Sequence, residues 1–413
     1  MRSNVLLVAT GALALCFAPW RASAQQPADS LVGDPIAELV GQLDLERYKE
    51  TIRGLTQFGD RRQGTERNRL AVDWIEQQLL SYGCTTERIQ YAYDPPPPTP
   101  RPANAPPRTA RAPLDPVIAS GEFRFGPGGS RYRGITRSTG VNSDPLLQPD
   151  EALRELNSEP ATNGPRSEVY CTKVGATRPQ EMYIVSAHMD GHGWGEAAND
   201  NGSGTALVME LARIFNGPDV VTDRSIRFAL WNNEETGLDG AEAYVMQRAG
   251  LQGVEDPPRS GLYPEPKWLG MIQHDMMLWD HGMPRADGTW NPEQRPEADV
   301  NIEFQSIALR ADDAMRLAFF FREANERYAT DYPAAVGPHM TNTDSTPFMD
   351  FTPAISLREN ERGMHTGAGW SPTWHQPIDV FSTFSDKDFR LGLNAAQTTL
   401  AAVGQLTGAR LVN

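Results

Sequence analysis

The chain has 413 residues, of which 39% are hydrophobic, enough to build the core of one large α/β domain or of two medium ones. Its formal net charge is −15 and it contains no basic tract, a combination that disfavours nucleic acid and anionic membrane surfaces as partners. Beyond the N-terminal segment, no stretch is long and apolar enough to span a bilayer.

The N-terminal segment predicts a signal peptide. Arg2 precedes an apolar run at 5–17, and residues 22–24 read Ala-Ser-Ala, which is typical of a cleavage site. We therefore expect residues 1–24 to be removed and the protein to be exported, either to a periplasm or out of the cell. A retained N-terminal anchor is the alternative. Removal of the signal leaves Cys84 and Cys171, which could form one disulfide or remain two buried thiols.

The first predicted elements are two helices and a strand. Helical periodicity indicates helices at 43–57 and 65–82, and a strand-like piece follows at 86–93. Four consecutive prolines at 95–98 then open a segment rich in Pro, Arg and Gly, and prolines in series favour an extended chain without backbone donors. We interpret 94–166 as a surface insertion, partly ordered at best, in a single domain that spans 25–413.

From residue 167 the pattern alternates between strands and helices. Strands are expected at 168–174, 182–187, 226–231 and 268–274, near 301–309 and near 353–357, with helices at 203–216, 238–249, 311–328 and 386–406. Such alternation predicts an α/β fold of three layers, in which a mostly parallel, buried central sheet is covered by helices on both faces.

Metal-binding residue types follow several of the predicted strands. His188, Glu234, Glu235 and Asp275 each lie at, or directly after, the end of a strand-like run. Because ligands bind beyond the carboxyl ends of the strands in such sheets, we expect these side chains to meet in one crevice. Asp200 lies in a glycine-rich turn that opens a helix, where the backbone can come close to a bound ion.

These positions predict a site for two metal ions. The candidate ligands are His188, Asp200, Glu235, Asp275 and His375. Imidazole nitrogen and carboxylate oxygen are ligands of zinc, and ions about 3.5–4 Å apart need a carboxylate that bridges them.

Two further acidic residues have candidate catalytic roles. Asp190 could accept the second ring N–H of His188 and so select the tautomer of that histidine. In an extended chain Glu234 and Glu235 would point in opposite directions, so that one binds metal while Glu234 faces substrate and water as the general base.

Taken together, the motifs resemble those of the co-catalytic di-zinc exopeptidases, the family of secreted bacterial leucyl aminopeptidases and aminopeptidase Y. In chain order they read His188-Met-Asp190, Asp200-Asn-Gly-Ser-Gly204, Glu234-Glu-Thr-Gly237, His274-Asp275-Met276 and His375-Gln-Pro-Ile-Asp379. The resemblance covers roughly 45–93 and 167–405. One departure is Ser345, which stands after Asp344 where the family often has a histidine.

The resemblance implies a mixed eight-stranded sheet between helices, and two zinc ions per chain. By it, His188 and Asp275 bind one ion, Glu235 and His375 bind the other, Asp200 bridges them and Glu234 is the base. It implies that the protein hydrolyses N-terminal residues from peptides. The alternatives are a di-zinc carboxypeptidase, an N-acyl amino acid hydrolase, a glutaminyl cyclase or a non-catalytic receptor, and the last is disfavoured because all five ligands are present.

The remaining histidines and arginines are expected to have ordinary roles. His192 and His281 are predicted to be structural or surface groups, although His192 could touch substrate. We expect His274 to point away from its neighbour Asp275. Arg358 and Arg362 are expected in a solvated charged loop, although they could meet a substrate carboxylate. The pattern does not indicate an oligomeric state.

Overall fold

The computed structural model describes residues 33–94, 141–281, 300–338, 343–359 and 371–412. The predicted signal peptide, the proline run and Arg362 lie outside these residues. The helices are α1 (Pro35–Val40), α2 (Leu45–Thr56), α3 (Glu66–Ser81), α4 (Glu151–Leu156), α5 (Gly204–Phe215), α6 (Asp239–Arg248), α7 (Ala311–Tyr328) and α8 (Asp386–Thr407). In the described parts of the chain, no helix is both long enough and apolar enough to cross a membrane.

Eight strands form one mixed sheet. The described residues form ten strands, which are β1 (Thr86–Tyr93), β2 (Gly164–Lys173), β3 (Arg178–His188), β4 (Val220–Val221), β5 (Arg224–Trp231), β6 (Lys267–His274), β7 (Val300–Phe304), β8 (Ala334–Pro338), β9 (Ala354–Glu359) and β10 (Arg410–Leu411). The order in the large sheet is β1-β2-β5-β3-β6-β9-β7-β8, while β4 and β10 pair separately. The central strands β5, β3, β6 and β9 are parallel, and β1, β2 and β7 pair antiparallel with their neighbours β2, β5 and β9.

Helices cover both faces of this sheet, as predicted. Alternate residues of a strand face opposite sides, so Val185 and Phe228 belong to one hydrophobic core while Ile184 and Trp231 belong to the other. Helix α5 is buried on nearly all sides because it packs against β3, β5, α2 and α8. The three-layer arrangement expected from the alternating pattern is therefore confirmed.

The element boundaries follow local chemistry. Helix α8 begins at a capping box, in which the side chain of Ser385 accepts the backbone N–H of Asp388 and the side chain of Asp388 accepts the backbone N–H of Ser385. The helix is followed by Gly408, whose φ is 67°. The strand expected near 301–309 ends at Phe304. Strand β8 was not predicted because it contains Gly337 and Pro338, and a strand with these residues is tolerated at a sheet edge.

The end of the predicted insertion is part of the folded body. Strand β2 begins at Gly164, and the preceding described residues contact the loops at the carboxyl edge of the sheet. The side-chain amide of Gln148 donates to the carbonyls of Trp194 and Pro377, and that of Asn157 donates to the carbonyl of Gly195. Residues 141–166 of this segment are therefore ordered, and the surface insertion at 94–166 stays a prediction. The single domain spanning 25–413 stays a prediction.

A disulfide joins the end of α3 to the sheet. Cys84 and Cys171 are bonded, with their Cα atoms 5.7 Å apart, and Cys171 lies within β2. This decides between the two alternatives left open by the sequence. The bond encloses a sequence separation of 87 residues, which contains the whole proline-rich segment.

We expect the Cys84→Ser/Cys171→Ser variant to be less stable than the wild type. A crosslink over 87 residues restricts the unfolded chain, and loop-closure entropy sets its contribution at about 4.6 kcal/mol. Chemical unfolding of both proteins, with and without reductant, measures this difference. The double variant should be insensitive to reductant. Equal unfolding midpoints for the two oxidised proteins would contradict the expected contribution.

Candidate metal centre

The site lies at the carboxyl edge of the central strands. His188 is the last residue of β3, and Asp275 directly follows β6. Strand β3 is parallel to both β5 and β6, with His188 opposite Trp231 and its neighbour Ala187 opposite His274. The ends of the three strands therefore meet, as the sequence predicted.

The first group of donors surrounds His188. Its Nε2 atom lies 3.4 Å from Oδ1 of Asp200 and 3.5 Å from Oδ1 of Asp275. All three side chains are at least 95% buried. Burial opposes a charge on the ring, but the carboxylates of Glu234, Asp275 and Asp200 outweigh it and raise the pKa of His188 well above its usual value.

The second group surrounds His375. Its Nε2 atom lies 2.7 Å from Oε2 of Glu235 and 3.1 Å from Oδ2 of Asp200. The two carboxylate oxygens of Asp200 thus face different histidines, Oδ1 towards His188 and Oδ2 towards His375. The structure brings all five candidate ligands together, with Asp200 between the two groups.

Glu234 and Glu235 reach different groups, but not for the reason expected. The chain is not extended here, since Glu234–Thr236 form a 3-10 turn after Asn233, whose φ is 63°. The carboxylate of Asp190 accepts the backbone N–H groups of Glu234 at 3.1 Å and Glu235 at 3.4 Å, which holds the turn. Glu235 then faces His375, whereas Glu234 joins His188 and Asp275, with potential ligand atoms within 4.8 Å of one another.

The Nδ1 atom of His188 does not bind the carboxylate of Asp190. It lies 3.0 Å from the backbone carbonyl oxygen of Asp190 and 3.8 Å from the nearer carboxylate oxygen. The predicted acceptor was therefore wrong. The carboxylate of Asp190 instead accepts the backbone N–H groups of the turn at Glu234. A neutral His188 that donates from Nδ1 to the carbonyl leaves Nε2 available for a metal ion. Burial raises the pKa of Asp190 to about 6.

Buried polar groups hold the loop that carries Asp200. The carboxylate of Asp379 accepts the backbone N–H groups of Asn199 at 2.8 Å and Asp200 at 3.0 Å. Arg61 is fully buried and donates to the carbonyl oxygens of Met189 and Ala197, each at 2.8 Å. Both residues lay outside the predicted site, although Asp379 closes one of its motifs.

Arg358 is a part of the site that the sequence interpretation missed. It was expected in a solvated loop, but it is 1% exposed, and its Nη2 atom lies 2.8 Å from Oδ2 of Asp275. Burial acts to raise the pKa of Asp275, yet Arg358 and His188 hold it below its usual range. The available signal was that Arg358 continues the buried strand β9, where a charge requires a partner.

The other histidines have three different environments. His274 is buried and bonds the carbonyl of Ser186 and the hydroxyl of Thr399, so it points away from the site as expected. His281 lies in a buried cluster, with its Nε2 atom 3.2 Å from Oδ1 of Asp280 and 2.6 Å from Oδ1 of Asp388. His192, expected to be structural or on the surface, lies with Nε2 3.1 Å from Oε2 of Glu235.

The donor set fits zinc. The two groups offer imidazole nitrogens and carboxylate oxygens, and one buried oxygen of Glu235, Oε1, has no hydrogen-bond partner among the described residues. A buried polar atom without a partner is costly unless a further group binds it. His188, Asp275 and Asp200 would hold one ion, and Glu235, His375 and Asp200 would hold a second.

Comparison with known proteins agrees with this geometry. Residues 169–398, more than half of the chain, match the profile of peptidase family M28. The chain belongs to peptidase family M28. Aminopeptidase YwaD of Bacillus subtilis is 38% identical over 77 residues, which are 17% of this chain and 16% of that protein. Carboxypeptidase Q of Xenopus laevis is 33% identical over 87 residues, which are 20% of this chain and 19% of that protein. The chain thus spans less than a fifth of these two curated M28-like relatives.

A solved structure shows the same fold over most of the chain. It is that of BSAP, a zinc aminopeptidase from Bacillus subtilis, with a TM-score of 0.57 and 16% identity. The superposition covers 88% of this chain and 95% of that one. The mixed sheet described here is therefore the M28 peptidase fold.

We expect zinc binding to the metal-free protein at pH 7 to release protons. Burial opposes the charge on His375, but Glu235 and Asp200 raise its pKa to about 10, so the ring is protonated at pH 7. A ring that binds metal through Nε2 must first lose that proton. Calorimetric titration in buffers of different ionisation enthalpy counts the protons released. A binding enthalpy that does not change between buffers would contradict this charge assignment.

Proposed function

We propose that this chain is an exported di-zinc aminopeptidase that removes N-terminal residues from peptides. The observation that carries the proposal is the pair of donor groups around His188 and His375, which share Asp200 and have Glu234 beside them. Family membership and the names of relatives such as aminopeptidase YwaD support a peptidase of this kind.

The residues of the site have different roles in the proposed hydrolysis. Bound zinc would polarise the scissile carbonyl and lower the pKa of a bound water to about 7. Asp200, Glu235 and His375 would hold one ion, and Asp200, His188 and Asp275 the other. Arg358 keeps Asp275 ionised, and the backbone carbonyl of Asp190 sets the tautomer of His188.

Glu234 is the residue that moves the proton. Burial raises its pKa well above the usual value for a glutamate, which suits a group that takes a proton from water and passes it to the leaving amine. Its position in the 3-10 turn is held through the backbone by Asp190. Because the backbone of Glu234 is held in this way, its side chain can act as the base without ligating a metal ion.

The charge of the site favours an N-terminal substrate group over a C-terminal one. Bound zinc ions would offset the charge of the carboxylates that hold them, whereas Glu234 would keep its charge and could receive the cationic amine of a peptide. A substrate carboxylate needs a cation to bind, and Arg358 is already buried against Asp275 and Glu303.

Export is the remaining part of the proposal. The composition of residues 1–24 supports a signal peptide. The disulfide between Cys84 and Cys171 is a bond that persists in oxidising compartments. Both features suit a protein that works in a periplasm or outside the cell.

We expect Glu234→Gln to retain its zinc but to lose activity. The amide is similar in size but cannot take a proton, so kcat should fall by roughly 10²- to 10⁴-fold, the usual contribution of a general base. Elemental analysis and aminoacyl-p-nitroanilide hydrolysis measure the two properties. Glu242→Gln, on the exposed surface of α6, is the matched control and should leave both unchanged. A fully active Glu234→Gln enzyme would remove Glu234 from the mechanism.

We expect peptides with a blocked N-terminus to resist hydrolysis, and peptides with a blocked C-terminus to be good substrates. Acetylation removes the amine cation that Glu234 could receive, whereas C-terminal amidation removes a carboxylate for which Arg358, already paired with Asp275 and Glu303, offers no partner. Mass spectrometry of the products of four matched peptides, with each end free or blocked, shows which end is shortened. Loss of C-terminal residues from an acetylated peptide would indicate a carboxypeptidase, and release of the acetyl group would indicate an N-acyl amino acid hydrolase.

A further inference from the structure

We propose that His192 is a further protein ligand of the second metal ion, together with Asp200, Glu235 and His375. This inference rests on the proposed metal pair and specifies one half of it. It assigns a role to the glycine-rich segment 191–195, which lies between the motifs that carry the other ligands.

The position of the His192 ring supports this role. Its Nε2 atom is 3.1 Å from Oε2 of Glu235, and potential ligand atoms of His192, Glu235 and His375 all lie within 4.8 Å of one another. Ligand atoms at the corners of a tetrahedron around zinc, with bonds of about 2.0–2.1 Å, are separated by roughly 3.4 Å. The Nε2 atoms of His192 and His375, at 3.1 and 2.7 Å from Oε2 of Glu235, are near this spacing.

The Nε2 atom of His192 is buried, although 19% of the side chain is exposed. Among the described residues this atom has no partner in hydrogen-bond geometry, and the same holds for Oε1 of Glu235. Two buried polar atoms without such partners, at one place, indicate a ligand between them. An ion pair between His192 and Glu235 would still leave Oε1 of Glu235 without a partner.

The segment that carries His192 is packed directly on the segment that carries His375. Gly193 has a φ of +103°, and a Cβ atom there would lie 2.3 Å from the backbone carbon of His375. A Cβ atom on Gly195 would lie 2.7 Å from the carbonyl oxygen of Asp379. Only glycine allows this approach, which brings the imidazole rings of His192 and His375 to a centroid distance of 4.0 Å, edge to face.

The additional ligand makes the two metal positions unequal. His192, Glu235, His375 and Asp200 together supply four protein donors, which complete a tetrahedral site. The position formed by His188, Asp275 and Asp200 has three protein donors and keeps a place for water or substrate. We therefore expect the ion at His375 to be held more tightly than the ion at His188.

Zinc affinity distinguishes a ligand from a residue that only positions Glu235. The zinc-loaded wild type, His192→Ala and His192→Gln are titrated with a chelator, and the two dissociation constants of each protein are compared. Both substitutions should weaken the tighter site by about 100-fold or more, since even residues behind the ligands contribute 10- to 100-fold. The amide of His192→Gln can still donate to Glu235, so wild-type affinity in this variant, or in both variants, would overturn the proposal.

A crystal structure of the zinc-loaded wild type tests the bond directly. Anomalous scattering locates the ions, and we expect the Nε2 atom of His192 to lie about 2.0–2.1 Å from one of them. A separation of 3 Å or more in an enzyme that holds two zinc ions and cleaves N-terminal residues would overturn the role of His192 alone. A protein that binds no zinc pair would overturn the proposed function itself.

Discussion

Concentrated negative charge in a buried crevice is the constraint that orders this structure. Asp200, Glu234, Glu235 and Asp275 approach one another at the carboxyl edge of the sheet, where little water screens their repulsion. Carboxylates so placed must face cations or be neutralised by protons. Nitrogen atoms therefore lie on every side of the group, from His188, His375 and His192 to the guanidinium of Arg358.

Other buried charged side chains near the site form hydrogen bonds with the backbone of the loops that carry the ligands. Asp379 accepts two N–H groups of the loop at Asp200, Asp190 accepts two at the turn of Glu234, and Arg61 donates to carbonyls of the 189–197 segment. Charged hydrogen bonds of this kind are stronger than neutral ones. They hold irregular loops in one conformation, so that ligands from separate segments keep a common geometry.

The sequence predicted the helices and strands whose hydrophobic residues recur regularly, together with the candidate ligands at the ends of those strands. Strands β3 and β6 end where their hydrophobic runs end, so His188 and Asp275 could be placed before any coordinates were known. His192 could not, because the glycine-rich segment has no period and its contact with Glu235 depends on how a loop folds back. Arg358 was misplaced because strand β9 was expected to end at residue 357, whereas it continues through Arg358 to Glu359 and is buried throughout.

The turn at Glu234 shows a further limit of sequence reasoning. The two glutamates do reach different donor groups, yet they do so through a left-handed Asn233 and a 3-10 turn. An extended chain would have separated them equally well, and the residue pattern is compatible with both conformations. What decides between them is the carboxylate of Asp190, which comes from a neighbouring strand end and is invisible in the local sequence.

The order of the donors along the chain has a consequence for biosynthesis. His188, Asp200, Glu235 and Asp275 are translated well before His375, and β9 with its Arg358 also precedes that last histidine. A nascent chain therefore carries most of the crevice but lacks the residue that completes it. Products that terminate before His375 would therefore lack a donor of the second group and would have no complete centre.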